Sequence, residues 1–187
     1  WLLSEVEHGN LLDLGPVTQA TVSFFTEKQF KVYAEDLLRS WKAHMNEEEE
    51  RLRRAPAGTE AAMDPASQAR SFLEANLSYP EETFHAILAW DVFDYLEAEL
   101  LPRTAERLYS LLRPGGVLLA LFHSKLPEQF HRYRIVDAQS LELVPGLTPV
   151  PPRRALQNRE LLNLFSAFRS SKTFVGRDQL REGLFTK

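Results

Sequence analysis

The sequence predicts an α/β domain of the doubly wound type, in which helices cover both faces of a mostly parallel sheet. Two observations carry this prediction. Short apolar runs alternate with longer amphipathic stretches over residues 9–122, which is the pattern of successive β-α-β units. Two further β-like runs follow each other at 173–175 and 182–186, so a terminal strand pair should complete the sheet.

The strands are predicted from short apolar or alternating runs that end at turn signals. The first run ends at Gly15, the second alternates as FKVYA, and the run at 117–122 is the most apolar in the chain. The run at 71–75 is the briefest of the seven. Predicted strands lie at 9–15, 30–34, 71–75, 84–90, 117–122, 173–175 and 182–186.

The helices are predicted from amphipathic spacing and from their stop signals. In the second helix, glutamates precede arginines by four residues, which is typical of a solvated helix face. The third helix is stopped by Arg-Pro-Gly-Gly at 113–116. Predicted helices lie at 18–28, 37–54, 97–112 and 156–168. Residues 125–152 are interpreted as an insertion, with a hairpin of strands 130–136 and 140–144 followed by a proline-rich link.

Composition limits the possible classes of function. A chain of 187 residues fits one domain, here taken as 1–187, and the absence of cysteine excludes disulfides, thiolate metal sites and cysteine nucleophiles. No apolar run could span a bilayer and no signal peptide is visible, so a cytoplasmic setting without membrane contact is expected. The net charge of −4 argues against nucleic acid. Residues 153–187 nevertheless carry +5, which indicates either one basic face or a site for an anionic partner.

The ends of the first two predicted strands carry the earliest indication of a site. Asp13 and Gly15 close the first strand, and Glu35 and Asp36 close the second. In doubly wound sheets the ligand lies beyond the carboxyl ends of the strands, next to the positively polarised start of a helix. An acid about twenty residues after such a loop suits a ribose, so the pattern favours a ligand that contains adenosine.

Two longer segments carry a more specific pattern. Residues 80–96 read PEETFHAILAWDVFDYL, and residues 111–119 read LLRPGGVLL. With this spacing the chain resembles class I S-adenosylmethionine-dependent methyltransferases, over residues 9–122 closely and 156–187 loosely. The resemblance implies a Rossmann-like sheet of seven strands whose last strand is antiparallel, S-adenosylmethionine as cofactor, a small-molecule substrate, and N-terminal helices upstream of Trp1 that this sequence does not include.

The resemblance also implies the residues of the cofactor site. The first loop (Asp13, Gly15, Val17) would face the methionine end of the cofactor. Asp36, or Glu35 if the register differs by one, would hold the ribose. Adenine would lie against Glu74, Ala75 and Asn76, and the methionine side of the pocket would be lined by Trp90, Asp91 and Val92. His123, just beyond the fifth strand of the main sheet, is the candidate base for an acceptor that must lose a proton. No histidine spacing predicts a metal site.

The first loop departs from the family pattern. Val17 and Gln19 stand where the family has glycines, and Pro16 lacks an N–H donor. These changes keep the backbone away from a ligand, so they predict weak cofactor binding. Two alternatives therefore stay open beside an active small-molecule methyltransferase: an inactive methyltransferase-like binding or scaffold domain, and a nicotinamide-dependent oxidoreductase, which fits the Pro-Gly-Gly segment less well.

Overall fold

A computed structural model describes residues 8–56, 62–138, 140–175 and 180–187. The strands are β1 (Gly9–Asp13), β2 (Phe30–Ala34), β3 (Phe84–Trp90), β4 (Leu112–His123), β5 (His131–Ile135), β6 (Leu141–Pro145), β7 (Ser170–Val175) and β8 (Leu180–Thr186). The helices are α1 (Gln19–Glu27), α2 (Leu37–Arg54), α3 (Pro65–Asn76), α4 (Leu100–Leu111) and α5 (Asn158–Leu164), with a 3₁₀ turn at Val92–Asp94. Within these ranges no helix is both long and apolar enough to cross a bilayer.

Six strands form one sheet in the order β2-β1-β3-β4-β8-β7, and β5 pairs only with β6. The strands from β2 to β4 run parallel, and β8 is antiparallel to both of its neighbours. The prediction of a mostly parallel, doubly wound sheet whose last strand is antiparallel is therefore confirmed. Because the chain passes from β1 to β2 on one side and later to β3 on the other, a crevice opens at the carboxyl end of β1.

The strand predicted at 71–75 is wrong, since these residues belong to α3. Asp64 caps this helix by accepting hydrogen bonds from the N–H groups of Ala66 and Ser67, and a proline occupies its first turn. The buried residues Ala69, Phe72 and Leu73 have helical spacing, and they face the core. Among the described residues the main sheet consequently has six strands instead of seven.

The two faces of the sheet are covered unequally. On one face α2 to α5 contribute to a large apolar cluster that includes Trp41, Phe72 and Leu161. On the other face a smaller cluster contains Phe25 of α1 and Tyr133 of β5. Helices therefore lie on both faces, as predicted, but the β5–β6 hairpin covers part of the face that α1 leaves open. This arrangement brings the hairpin to the crevice.

The entry into β4 depends on two glycines. Gly115 has a φ of +78°, a left-handed conformation that glycine adopts without strain. A Cβ on Gly116 would lie 2.8 Å from the carbonyl oxygen of Arg113, so this position has no room for a side chain. Both glycines lie where the pairing of β4 with β3 shifts register, between the pairs Phe84–Leu112 and Ala86–Val117, and β4 then runs between β3 and β8.

Candidate functional site

A cleft lies at the carboxyl edge of the sheet, where β1, β2 and β3 end. Five residues that the sequence analysis assigned to the cofactor line it, namely Gly15, Asp36, Trp90, Asp91 and Val92. They come together because parallel strands end at the same edge of the sheet. The hairpin closes the other side of the cleft with Tyr133 and His131.

Asp13 lies beneath this cleft and is almost fully buried. Its Oδ1 atom accepts hydrogen bonds from the Gly15 N–H (3.0 Å) and from the indole Nε1–H of Trp90 (2.6 Å). Burial raises the pKa of Asp13 to about 6, although both hydrogen bonds oppose the shift. The carboxyl group therefore ties the first loop to the end of β3.

The two acids after β2 point to different places. Asp36 caps α2, where its Oδ1 accepts from the Arg39 N–H at 3.2 Å, and it lines the cleft. Glu35 instead accepts a hydrogen bond from the Tyr79 hydroxyl at 2.5 Å, and it does not line the cleft. Of the two registers that the sequence left open, the structure places Asp36 at the candidate site.

Besides Asp13, Glu35 and His123, four more predicted residues do not line the cleft. Val17 lies in the loop before α1 with 48% of its surface exposed. Glu74, Ala75 and Asn76 were expected after a strand, and they lie on α3 because that strand is a helix. Glu74 lines a separate groove between α3 and α4, and the Asn76 side chain donates to the backbone oxygen of Phe72. The structure thus does not bring Glu74 together with Gly15 and Asp36.

His123 at the end of β4 contacts a carboxylate that the sequence analysis did not assign to the site. The backbone N–H of His123 donates to Asp94 Oδ2 at 2.8 Å, and its Nδ1 lies 2.9 Å from the same oxygen. Asp94 is fully buried, and Asp91 Oδ2 lies 4.0 Å from His123 Nδ1. Burial raises the pKa of Asp94, and raises that of Asp91 to about 7, while His123 opposes both shifts. The three-residue spacing of the two acids in the turn after β3 was the available signal.

Trp90 fills the space beside Gly15. An ideal Cβ on Gly15 would lie 2.5 Å from Cδ1 of the indole, so the ring occupies the cradle that the glycine leaves. Trp90 has a φ of +49°, a conformation that costs a bulky residue about 1–3 kcal/mol. The Tyr133 ring stacks on the indole with a centroid distance of 5.4 Å and an interplanar angle of 4°. Sequence reasoning missed Tyr133, although it occupies the inward position of the HRYRI alternation.

These two rings decide whether S-adenosylmethionine fits the cleft as it stands. The space that remains in the cleft is about 10 Å³, which is room for one water molecule. Pockets for ligands of this size usually measure several hundred cubic ångströms. The backbone of the cleft has the expected layout, but the arrangement of Trp90 and Tyr133 in this structure does not admit the cofactor.

No group of three or more acidic or histidine side chains in the described ranges is arranged to hold a metal ion.

Comparisons with known proteins agree with the fold. The sequence model of a family described as "Methyltransferase domain" matches residues 2–167. A putative S-adenosylmethionine-dependent methyltransferase from Listeria monocytogenes is 12% identical, with a TM-score of 0.55 over 100% of this chain and 93% of that one. A corresponding enzyme from Mesorhizobium loti is 16% identical, with a TM-score of 0.53 over 100% and 95%.

A third solved structure contains a small-molecule substrate. The 1,6-didemethyltoxoflavin-N1-methyltransferase of Burkholderia thailandensis, solved with 1,6-didemethyltoxoflavin and S-adenosylhomocysteine, is 18% identical. Its TM-score is 0.50 over 100% of this chain and 74% of that one. A comparison with curated protein sequences finds no significant match.

Proposed function

Because the chain belongs to the methyltransferase domain family, we propose that it transfers the methyl group of S-adenosylmethionine to a small molecule. The observation that carries the proposal is the match of the family model to 2–167, a range that contains every strand end of the cleft. The small-molecule acceptor is supported by the Burkholderia thailandensis enzyme, which was solved with one. The cytoplasm is the proposed setting, with neither nucleic acid nor membrane as a partner.

The proposed cofactor side of the cleft consists of Asp13, Gly15, Asp36 and the segment 90–92. Asp36 is the proposed ribose partner because it stands at the cleft edge after β2. Asp13 acts indirectly in this proposal, since its buried carboxyl group holds the Gly15 backbone N–H. Val17 remains a proposed contact of the cofactor, although its side chain is exposed and does not line the cleft in this structure.

His123 is the proposed base for an acceptor that must lose a proton. An ionised Asp94 would accept a hydrogen bond from the Nδ1–H of His123, 2.9 Å away, and Nε2 would then be the basic nitrogen of the ring. The second hydrogen bond, from the His123 backbone N–H, fixes the position of the residue relative to that carboxylate. Asp94 would therefore set the tautomer and orientation of the imidazole, and His123 would receive the proton.

Binding of S-adenosylhomocysteine, measured by calorimetry, tests the cofactor assignment. Asp36→Ala should weaken binding by about 1.5–3 kcal/mol, the usual range for hydrogen bonds to a charged group. Glu35→Ala is the matched control, since the neighbouring acid pairs with Tyr79 and should leave the affinity unchanged. Equal losses in both variants, or none in Asp36→Ala, would contradict the assignment. NADH titrated in parallel should not bind, and its binding would favour the oxidoreductase alternative.

One observation favours the alternative of an inactive binding or scaffold domain. The two aromatic rings leave the cleft room for a single water molecule. If the rings are fixed, the domain keeps the family's fold without its cofactor. This alternative predicts that the native protein does not bind S-adenosylhomocysteine even at millimolar concentration.

A further inference from the structure

The groups that should contact a cofactor already contact side chains of this protein. The open space beside Gly15 is filled by the Trp90 indole, whose Nε1–H also donates to Asp13. Tyr133 covers the other face of the indole, and its hydroxyl donates to Asp91 Oδ2 at 3.1 Å. Asp13, Gly15 and Asp91 were each predicted to contact the ligand. In this structure each of them contacts Trp90 or Tyr133 instead.

The element that carries Tyr133 is attached to the rest of the molecule by side-chain contacts, including the buried Phe130 and Tyr133, and not by a backbone ladder. β5 pairs with β6 only, and the hairpin shares no backbone ladder with the six-stranded sheet. Besides the aromatic stack, the Ile135 N–H donates to the Thr21 hydroxyl of α1 at 3.2 Å. An isolated two-stranded hairpin is marginally stable, so its position depends on such contacts. Lifting it would break few hydrogen bonds and would leave the sheet intact.

We propose that the Trp90–Tyr133 stack is an autoinhibitory contact, and that the β5–β6 hairpin must lift from α1 before S-adenosylmethionine can enter. The inference rests on the proposed function, because it concerns regulation of the same cleft. In the closed state the indole takes the place of the ligand beside Gly15. When the hairpin lifts, Trp90 loses its stacking partner. The strained left-handed backbone of Trp90 then favours a change of conformation that moves the indole away from Gly15.

A reversible lock tests the movement in a single protein. The chain contains no cysteine, so Thr21→Cys with Ile135→Cys introduces the only thiols and can form only one intramolecular disulfide. The two positions are in contact, because the Ile135 backbone N–H donates to the Thr21 hydroxyl at 3.2 Å. S-adenosylhomocysteine should bind the reduced protein at least about tenfold more tightly than the oxidised protein, because the disulfide holds the hairpin closed.

Tyr133→Ala tests the stack without a cross-link, and Tyr133→Phe is its control because it keeps the ring. The alanine variant should bind S-adenosylhomocysteine about tenfold more tightly than the native protein, as expected if about a tenth of native molecules are open. The phenylalanine variant should gain less than the alanine variant. Circular dichroism would establish that each variant is folded.

The outcomes separate this inference from the proposed function. Equal affinity in the oxidised and reduced forms, with no gain in Tyr133→Ala, would overturn the autoinhibitory contact and leave the methyltransferase assignment standing. If the folded Tyr133→Ala variant and the reduced double-cysteine variant both fail to bind S-adenosylhomocysteine at millimolar concentration, the proposed function is wrong. The autoinhibitory contact, which rests on that function, is then wrong as well.

Discussion

Asp13→Asn should make the protein more stable above neutral pH and should remove one source of pH dependence. Asp13 is 2% exposed, and burial raises its pKa from 3.8 to about 6. The folded state therefore retains a proton that the unfolded chain releases, and stability falls as pH rises from about 4 to about 6. The pKa of Asp13 differs by about two between the folded and unfolded states. At about 1.4 kcal/mol for each pKa unit, this difference lowers the free energy of unfolding by about 3 kcal/mol at high pH.

The asparagine keeps the contacts that matter for the comparison. Its side-chain oxygen can still accept from the Gly15 N–H and the Trp90 Nε1–H, as the aspartate does now. Any cost of the new amide nitrogen is the same at every pH. The informative quantity is therefore the change in the stability difference between variant and native protein from about pH 4 to about pH 8, which should favour the variant by up to about 3 kcal/mol.

Urea unfolding followed by circular dichroism at a series of pH values measures this difference directly. Asp64→Asn is the control, because it removes an exposed carboxylate that caps α3 and whose pKa is lowered, chiefly by the hydrogen bond from the Ser67 side chain, and because asparagine caps a helix as well as aspartate does. The control should show no gain at high pH. A stability difference for Asp13→Asn that stays constant across the pH range would refute the reasoning.

Three further substitutions test the fold. Phe165→Ala removes a ring that stacks on Phe185 at 4.0 Å in the core beneath α5, and it should cost about 3–5 kcal/mol of unfolding free energy in urea titration. Gly116→Ala places a Cβ 2.8 Å from the Arg113 carbonyl oxygen and should lower the thermal midpoint measurably, by an amount equivalent to about 1–3 kcal/mol. Arg53→Ala removes an ion pair whose partners are 70% and 71% exposed, and calorimetry should find a change below about 0.5 kcal/mol.

Much of the fold was accessible from the sequence because its signals are local. The runs that became β1, β2, β3 and β4 are apolar, short and bounded by turn residues. The run at 71–75 failed because five residues are too few to distinguish a strand from one side of a helix. The start signal of the helix, Asp64 followed by Pro65, lies outside that run.

The candidate site was predictable where it follows from topology and unpredictable where it depends on side-chain direction. Gly15 and Asp36 meet because the strands before them are parallel neighbours. The closure by Tyr133 depends on how a hairpin folds back over the sheet, and no local pattern encodes that contact. The placement of the Trp90 ring depends on the sign of one backbone angle, which a sequence pattern does not reveal.

The place of β8 inside the sheet sets the order in which a newly made chain can complete its fold. Residues 180–186 are the last strand to leave the ribosome among those described, yet they lie between β4 and β7. Until they emerge, β4 has an open apolar edge and β7 has no neighbour, while β1 to β4 can already pair. Because β8 joins β7 to the parallel strands, the two parts of the described sheet can unite only after residues 180–186 have been made.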